Sequence, residues 1–369
     1  MSIHSPVQFP VQRSLFAVGL VAAVVLALVQ GGEDPAITRG RELFDKTFSK
    51  AEGLGSPDMN ADTCRGCHAD PVLGGAGALE LNVTRFAFDN GGAGPFQNLA
   101  GGQAASKLRP PHVTWREEAA VTADCFEQRQ TPSILGDGLI DTIPDAAILA
   151  NEDPNDLNAD GVRGVARQVV INGLTEIGRF GWKAQIPRLA DFVRDAMFGE
   201  LGITTSNDGR GFAGVIDSDG VPDPELNDVQ VGNVHAFMAS LPAPVRTGSN
   251  DPRVALGQQI FTEVGCAKCH VPALQGLSGP VPLFSNLLLH NVMPAGYRGM
   301  AEPGAGVGLF RTPPLWGIKH TAPYMHDGRA ADLRAAILAH FGEAAIVTAN
   351  YLARSVDERD ALILFLEDL

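Results

Sequence analysis

Two five-residue stretches, Cys64-Arg65-Gly66-Cys67-His68 and Cys266-Ala267-Lys268-Cys269-His270, place two thiols and an imidazole at a spacing that suits one cofactor. Cysteines three apart reach the two vinyl groups of a porphyrin. The adjacent histidine turns its ring onto the iron, so C-x-x-C-H reads as a c-type haem attachment with His68 and His270 as proximal ligands. Each cluster supplies three ligands where a structural zinc site needs four. Two covalent haems on one chain imply redox chemistry. A different chemistry is offered by Asp156-Leu157-Asn158-Ala159-Asp160-Gly161-Val162, which opens like an EF-hand loop. Asp156, Asn158, Asp160 and Val162 are its candidate calcium ligands. The twelfth position is Arg167 and not a bidentate Glu, so an Asx-rich turn is the competing reading.

The elements that must hold the haem motifs form a degenerate repeat. Gly40-Arg41-Glu42-Leu43-Phe44 precedes the first and Gly257-Gln258-Gln259-Ile260-Phe261 the second, each read as an amphipathic helix whose Leu/Ile-Phe pair packs on a porphyrin edge. Each half closes on an apolar helical run. The first contains Val231, Val234, Phe237, Met238 and Leu241; the second contains Ala361, Leu362, Phe365 and Leu366 behind a Ser355-x-x-Glu358 capping box. Leu241-Pro242-Ala243-Pro244 and the Gly/Ser/Asn stretch after it read as a linker. The expected organisation is an N-terminal segment, 1–32, an N-terminal cytochrome c domain with an insertion, 33–245, and a C-terminal cytochrome c domain, 246–369. Strand signals are sparse, and 42 glycines and 25 prolines imply long connections, so the expected fold is mainly α and loop-rich.

Residues 15–29 are almost wholly apolar and follow Arg13, but fifteen residues are short for a membrane span, so the run reads as a secretory signal. Val29-Gln30-Gly31 is a poor cleavage site, which keeps an uncleaved N-terminal anchor as the alternative and the only expected membrane contact. Export to the periplasm suits covalent haem. Four of the five cysteines are committed to thioethers, leaving Cys125. A net charge of −14 argues against nucleic acid or anionic lipid and fits a basic electron-transfer protein as partner.

Several segments carry a family resemblance. Phe310-Arg311-Thr312-Pro313-Pro314-Leu315-Trp316-Gly317 and Thr321-Ala322-Pro323-Tyr324-Met325-His326-Asp327-Gly328-Arg329 resemble the C-terminal motif of the bacterial di-haem cytochrome c peroxidase and MauG superfamily. The chain is more similar still to the di-haem oxidoreductase, or thiol oxidoreductase-like, family, through Arg129-x-x-Pro132-Ser133-Ile134-Leu135-Gly136-Asp137-Gly138, Ile143-Pro144-Asp145 and Gly178-Arg179-Phe180-Gly181-Trp182-Lys183-Ala184.

The resemblance implies site roles. Fourteen residues after the histidine of His-Asp-Gly, where relatives place a sixth ligand, this chain has His340, giving a bis-histidine second haem with His270; Met293 and Met300 are weaker thioether candidates. Where peroxidases place a distal histidine for the first haem, the chain has Thr122. The iron of His68 is then open or water-bound, with His112 or Cys125 as substitutes. Glu200 matches a general acid/base twenty residues after an inter-haem aromatic if that residue is Phe180, and eighteen after it if it is Trp182. The superfamily's inter-domain calcium would fall on carbonyls of Thr321 and Pro323, with Gln130 in place of Asn. His235 reads as packed within its helix.

The resulting expectation is a peroxidase-like di-haem oxidoreductase, taking a small-molecule oxidant and exchanging electrons with a small redox protein. The alternatives are a non-catalytic electron-transfer cytochrome and a redox accessory protein of periplasmic iron uptake.

Overall fold

The computed structural model describes residues 33–55, 60–105 and 121–369, so the apolar N-terminal run and His112 lie outside the described residues. Two helix pairs frame the molecule, and they are built alike. The Pro35–Asp45 helix starts on Asp34, whose carboxylate accepts from Ala36 N, with proline at its first turn. The Pro252–Val264 helix starts the same way, on Asp251 and Pro252. Their partners, the Asp228–Ser240 and Val356–Asp368 helices, both open with capping boxes, Asn227 with Gln230 and Ser355 with Glu358.

A glycine sets the crossing in each pair. A Cβ on Gly40 would stand 1.9 Å from the Asn233 carbonyl oxygen, and one on Gly257 would stand 2.0 Å from that of Ala361. Only a residue without a side chain allows backbones this close. One turn later Phe44 meets Phe237 with ring centroids 5.3 Å apart, and Phe261 meets Phe365 at the same 5.3 Å. Burying such rings contributes roughly 1.5–3 kcal/mol each.

The first half carries more strand than its composition suggested. A three-stranded antiparallel sheet has Val83–Phe88 at its centre, flanked by Gln97–Ala105 and Cys125–Arg129. Gln168–Ile171 and Leu174–Ile177 form a hairpin closed by Asn172-Gly173, both at positive φ, an Asn-Gly turn that suits strand twist. Among the described residues long loops join the helices and strands. The mainly helical, loop-rich expectation is therefore corrected upward in strand, because Val83–Phe88 and Cys125–Arg129 carry Arg, Glu and Gln among their apolar residues and Gln97–Ala105 carries two glycines, so none shows the apolar alternation that marks a strand in sequence.

The two halves are not packed as separate bodies. The larger core joins Ile134, Ile140, Leu189 and Phe237 of the first half to Leu283, Leu287, Leu288 and Trp316 of the second. Arg85 on the sheet pairs with Glu302, and Arg298 with Asp89. The linker is pinned: Arg246 Nε, Thr247 N and Ser249 N all donate to Asp368, at 2.9, 2.8 and 2.8 Å. Among the described residues no helix is long and apolar enough to cross a membrane.

Candidate functional site

At the second motif the Pro252–Val264 helix stops on Gly265, whose φ of 105° turns the chain into the Cys266–Lys268 3-10 turn. His270 N donates back to the Cys266 carbonyl at 2.9 Å, and His270 Nδ1–H donates to the Phe284 carbonyl at 2.9 Å. His340 follows the Leu333–Leu338 helix and donates Nδ1–H to the Ala336 carbonyl at 2.6 Å. With Nδ1 protonated in both rings, both Nε2 atoms are lone-pair donors. Burial holds the His270 ring at about 3, with His340 and His290 opposing its protonation further, and burial lowers His340 too. Both imidazoles and both thiols line one cavity of about 260 Å³, walled otherwise mainly by apolar residues such as Phe261, Leu315, Leu333 and Leu362. Two thiols, two neutral imidazoles and an apolar wall fit a c-type haem.

The first motif sits on the Cys64–Cys67 helix, with His68 N on the Cys64 carbonyl at 3.0 Å. His68 Nδ1 faces the Gly75 carbonyl at 3.3 Å, and burial holds its ring at about 4. The phenylalanine of each repeat attends its histidine, Phe44 to His68 at 6.2 Å and Phe261 to His270 at 6.5 Å.

Glu200 ends the Leu189–Leu201 helix beside this first motif. Its carbonyl accepts from Asn60 N and Ala61 N at 2.6 and 3.1 Å, and its Oε2 accepts from Asn60 Nδ2 at 2.6 Å. Its charge adds to burial in raising the Cys64 and Cys67 thiols, to about 12 and 11. The same helix presents Asp195, reached by solvent but ringed by protein, which desolvation and Glu200 push up to about 7. No sequence motif signals it. Cys125 packs with Ala87 and Met300 and bonds weakly to the Gly299 carbonyl at 3.5 Å, the behaviour of a small apolar residue.

The structure separates the two inter-haem aromatic candidates. Phe180 is buried in the core, stacked on Phe192 at 6.0 Å. Trp182 lines the cavity, its Nε1 donating to the Gln130 carbonyl at 2.7 Å. Gln130, Thr321 and Pro323 line the same cavity, as do Met293 and the unanticipated pair Asp137 and Arg311. Burial pushes the Asp137 carboxyl up to about 7 against the opposing pull of Arg311.

In the 156–162 loop, side-chain oxygens cap the loop's own backbone. Asp156 Oδ1 accepts from Asp160 N and Gly161 N, Asn158 from Asp160 N, and Asp160 from Val162 N, while Lys268 Nζ lies 3.3 Å from Asp160. These are Asx-turn bonds, and the Lys268 ammonium is a cationic neighbour of Asp160. Among the described residues, the acidic side chains that converge within reach of one ion are Asp217, Asp219 and Glu225.

Behind Trp182 lies a buried polar wall that sequence reasoning missed, because its members are far apart in the chain. Glu127 is ion-paired to Arg129, and Glu302 to Arg85, Arg129 and Arg167. The arginines outweigh burial and hold Glu302 at about 2. Tyr297 Oη lies 3.0 Å from both Glu127 Oε2 and His326 Nε2, and the His326 ring stacks on Phe310 at 3.9 Å.

A haem-binding redox protein is the class this site defines. Residues 123–369 match the family model described as "Di-haem oxidoreductase, putative peroxidase", and the chain belongs to that family, whose cofactor is haem iron. No curated protein gives a significant match. Among solved structures, a chain of hydrazine synthase from Kuenenia stuttgartiensis is similar at 14% identity and TM-score 0.46, covering 100% of this chain and 99% of that one. A MauG-like protein associated with microbial copper homeostasis aligns at 16% identity and TM-score 0.40, over 92% and 89%. The diheme peroxidase BthA from Burkholderia thailandensis aligns at 16% identity and TM-score 0.43, over 92% and 86%.

Proposed function

We propose that this protein is an exported, peroxide-reactive di-haem oxidoreductase made of two cytochrome c units with unequal haem sites. Cys64 and Cys67 attach one haem and Cys266 and Cys269 the other, with His68 and His270 as proximal ligands. Bound there, the haems would supply the redox chemistry, peroxide reduction at the first site and electron storage or transfer at the second.

The chain's own residues make the sites unequal, and one observation carries the reading: His270 and His340 share a cavity with each ring tied through Nδ1 to a backbone carbonyl. Such ties fix tautomer and orientation and leave each Nε2 as a lone-pair donor, so His270 and His340 would together hold the haem iron and leave the second site without room for substrate. The first site instead has a carboxylate. Glu200 Oε2, positioned by Asn60 Nδ2, can take a proton from an incoming peroxide and return it to the departing oxygen. Asp195, its carboxyl pushed upward, lies on the same helix as a second carboxyl group. Trp182, on the wall of the second site's cavity, would relay electrons between the sites. Calcium plays no part in this scheme.

The apolar run 15–29 supports export, and the acidic chain supports a basic small redox protein as electron partner. The test is an optical and EPR titration of the purified holoprotein with hydrogen peroxide. One high-spin and one low-spin ferric haem, with the high-spin signal consumed by peroxide, is expected; two low-spin haems inert to peroxide would sink the proposal and leave an electron-transfer cytochrome.

A further inference from the structure

Tyr297 lines a shallow surface hollow formed with Asn291, Val307, Gly308, Phe341 and Ala345, most of them exposed. Its other end is buried chemistry. The hydroxyl stands 3.0 Å from Glu127 Oε2 and 3.0 Å from His326 Nε2. The carboxylate is the stronger acceptor, so the phenol donates to Glu127 and accepts from His326 Nε2–H. From His326 an unbroken aromatic path leads inward: Phe310 stacks on it at 3.9 Å, and Trp182, on the haem cavity wall, meets its edge at 6.4 Å.

We propose that Tyr297 is a second oxidation site of this enzyme, one that takes electrons from small electron-rich phenols bound in the surface hollow. The inference rests on the peroxidase reading for its natural oxidant. Burial and Glu127 hold the tyrosine as a neutral phenol, well above its usual pKa, so it does not ionise beforehand. The Arg329 guanidinium, 5.5 Å over its ring, opposes a positively charged ring. Oxidation therefore requires that the proton leave with the electron. Glu127 provides the acceptor, since Arg129, His326 and Lys183 together outweigh its burial and keep it ionised.

The step balances as follows. Tyr297 gives one electron inward along Phe310, His326 and Trp182, and its O–H bond breaks with the proton passing to Glu127 Oε2. The neutral tyrosyl radical then takes one electron from the bound phenol and recovers a proton from Glu127, while the phenol releases its own proton to solvent. Two such turns consume one hydrogen peroxide and yield two waters and two phenoxyl radicals. A phenol is the matching donor because it gives up one electron and one proton as tyrosine does, and an electron-rich phenol is easier to oxidise than tyrosine.

The experiment uses the holoprotein, hydrogen peroxide and guaiacol. The expected result is a tyrosyl EPR signal in the wild type that Tyr297→Phe abolishes, and guaiacol oxidation reduced about tenfold or more in that variant. Ala345→Trp, which fills the hollow, should reduce guaiacol oxidation while keeping the radical. In both variants the haem optical response to peroxide should keep its wild-type rate. An unchanged tyrosyl signal in Tyr297→Phe, or unchanged guaiacol oxidation in both variants, overturns the proposal. If peroxide leaves the wild-type haem spectrum untouched, the peroxidase reading fails by itself. Photo-oxidation with a ruthenium sensitiser and persulfate then decides Tyr297 independently, by a tyrosyl signal that Tyr297→Phe removes or does not.

Discussion

The two halves use the same clamp and differ in what they set against it. In both, a proline-started helix crosses a capping-box helix at a glycine, and a phenylalanine one turn on attends the haem-motif histidine. Around His270 the facing wall contributes His340, another imidazole tied to the backbone. Around His68 the neighbouring helix contributes two carboxyl groups, Glu200 and Asp195. The helix clamp is thus repeated between the halves, while the other polar side chains near the two motifs come from parts that do not repeat, the Leu189–Leu201 helix in one and the turn after the Leu333–Leu338 helix in the other. A repeat that duplicates the clamp leaves the opposite wall free to specialise.

Replacing the wall residue of either half should affect that half alone. His340→Ala is expected to convert the whole low-spin signal of the second haem while leaving the first unchanged, read by EPR; an unaltered low-spin signal would assign the sixth ligand elsewhere. Glu200→Gln should slow peroxide reduction by about 10²–10⁴-fold without altering either haem's ferric spectrum, the range typical of a general acid/base. Rates within threefold of wild type would remove Glu200 from the scheme.

Two stability tests probe the join and the clamp. Glu302→Gln strands Arg85, Arg129 and Arg167 without their shared carboxylate and should cost about 3–5 kcal/mol in urea unfolding near neutral pH. Because the folded carboxyl titrates near 2 against an ordinary 4.5, its contribution is complete above pH 4.5 and lost as pH falls through 2. The gap between wild type and variant should close over that window and nowhere above it. The smallest effects are expected from Gly40→Ala and Gly257→Ala, about 1–3 kcal/mol each, since either Cβ lands on a carbonyl of the partner helix. If one is tolerated and the other is not, the clamps are not equivalent.

What sequence made legible was local. The Gly-x-x-x-Phe repeats and the Ser355 capping box each lie within a few residues, and each forms the helix expected of it. Family spacing brought His340 and Glu200 to different motifs but left Phe180 and Trp182 unresolved, because both are aromatic and two residues apart. Only the backbone turn at Gly181, φ 79°, sends one into the core and the other to the cavity. The Asn172-Gly173 hairpin was readable and was missed among many glycines. The Tyr297, Glu127 and His326 contact was not readable, since Tyr297 and Glu127 are 170 residues apart and nothing in either segment signals the other.

The Nδ1 bonds of His270 and His340 to chain carbonyls have a kinetic meaning as well. A ring anchored to a backbone carbonyl turns only if that backbone moves, so the nuclear positions around a metal held by these rings would barely change when its charge does. Small nuclear displacement means low reorganisation energy. The second half would then exchange electrons at a rate governed chiefly by distance to the next carrier, and the pace of turnover would be set in the first half, where protons must move.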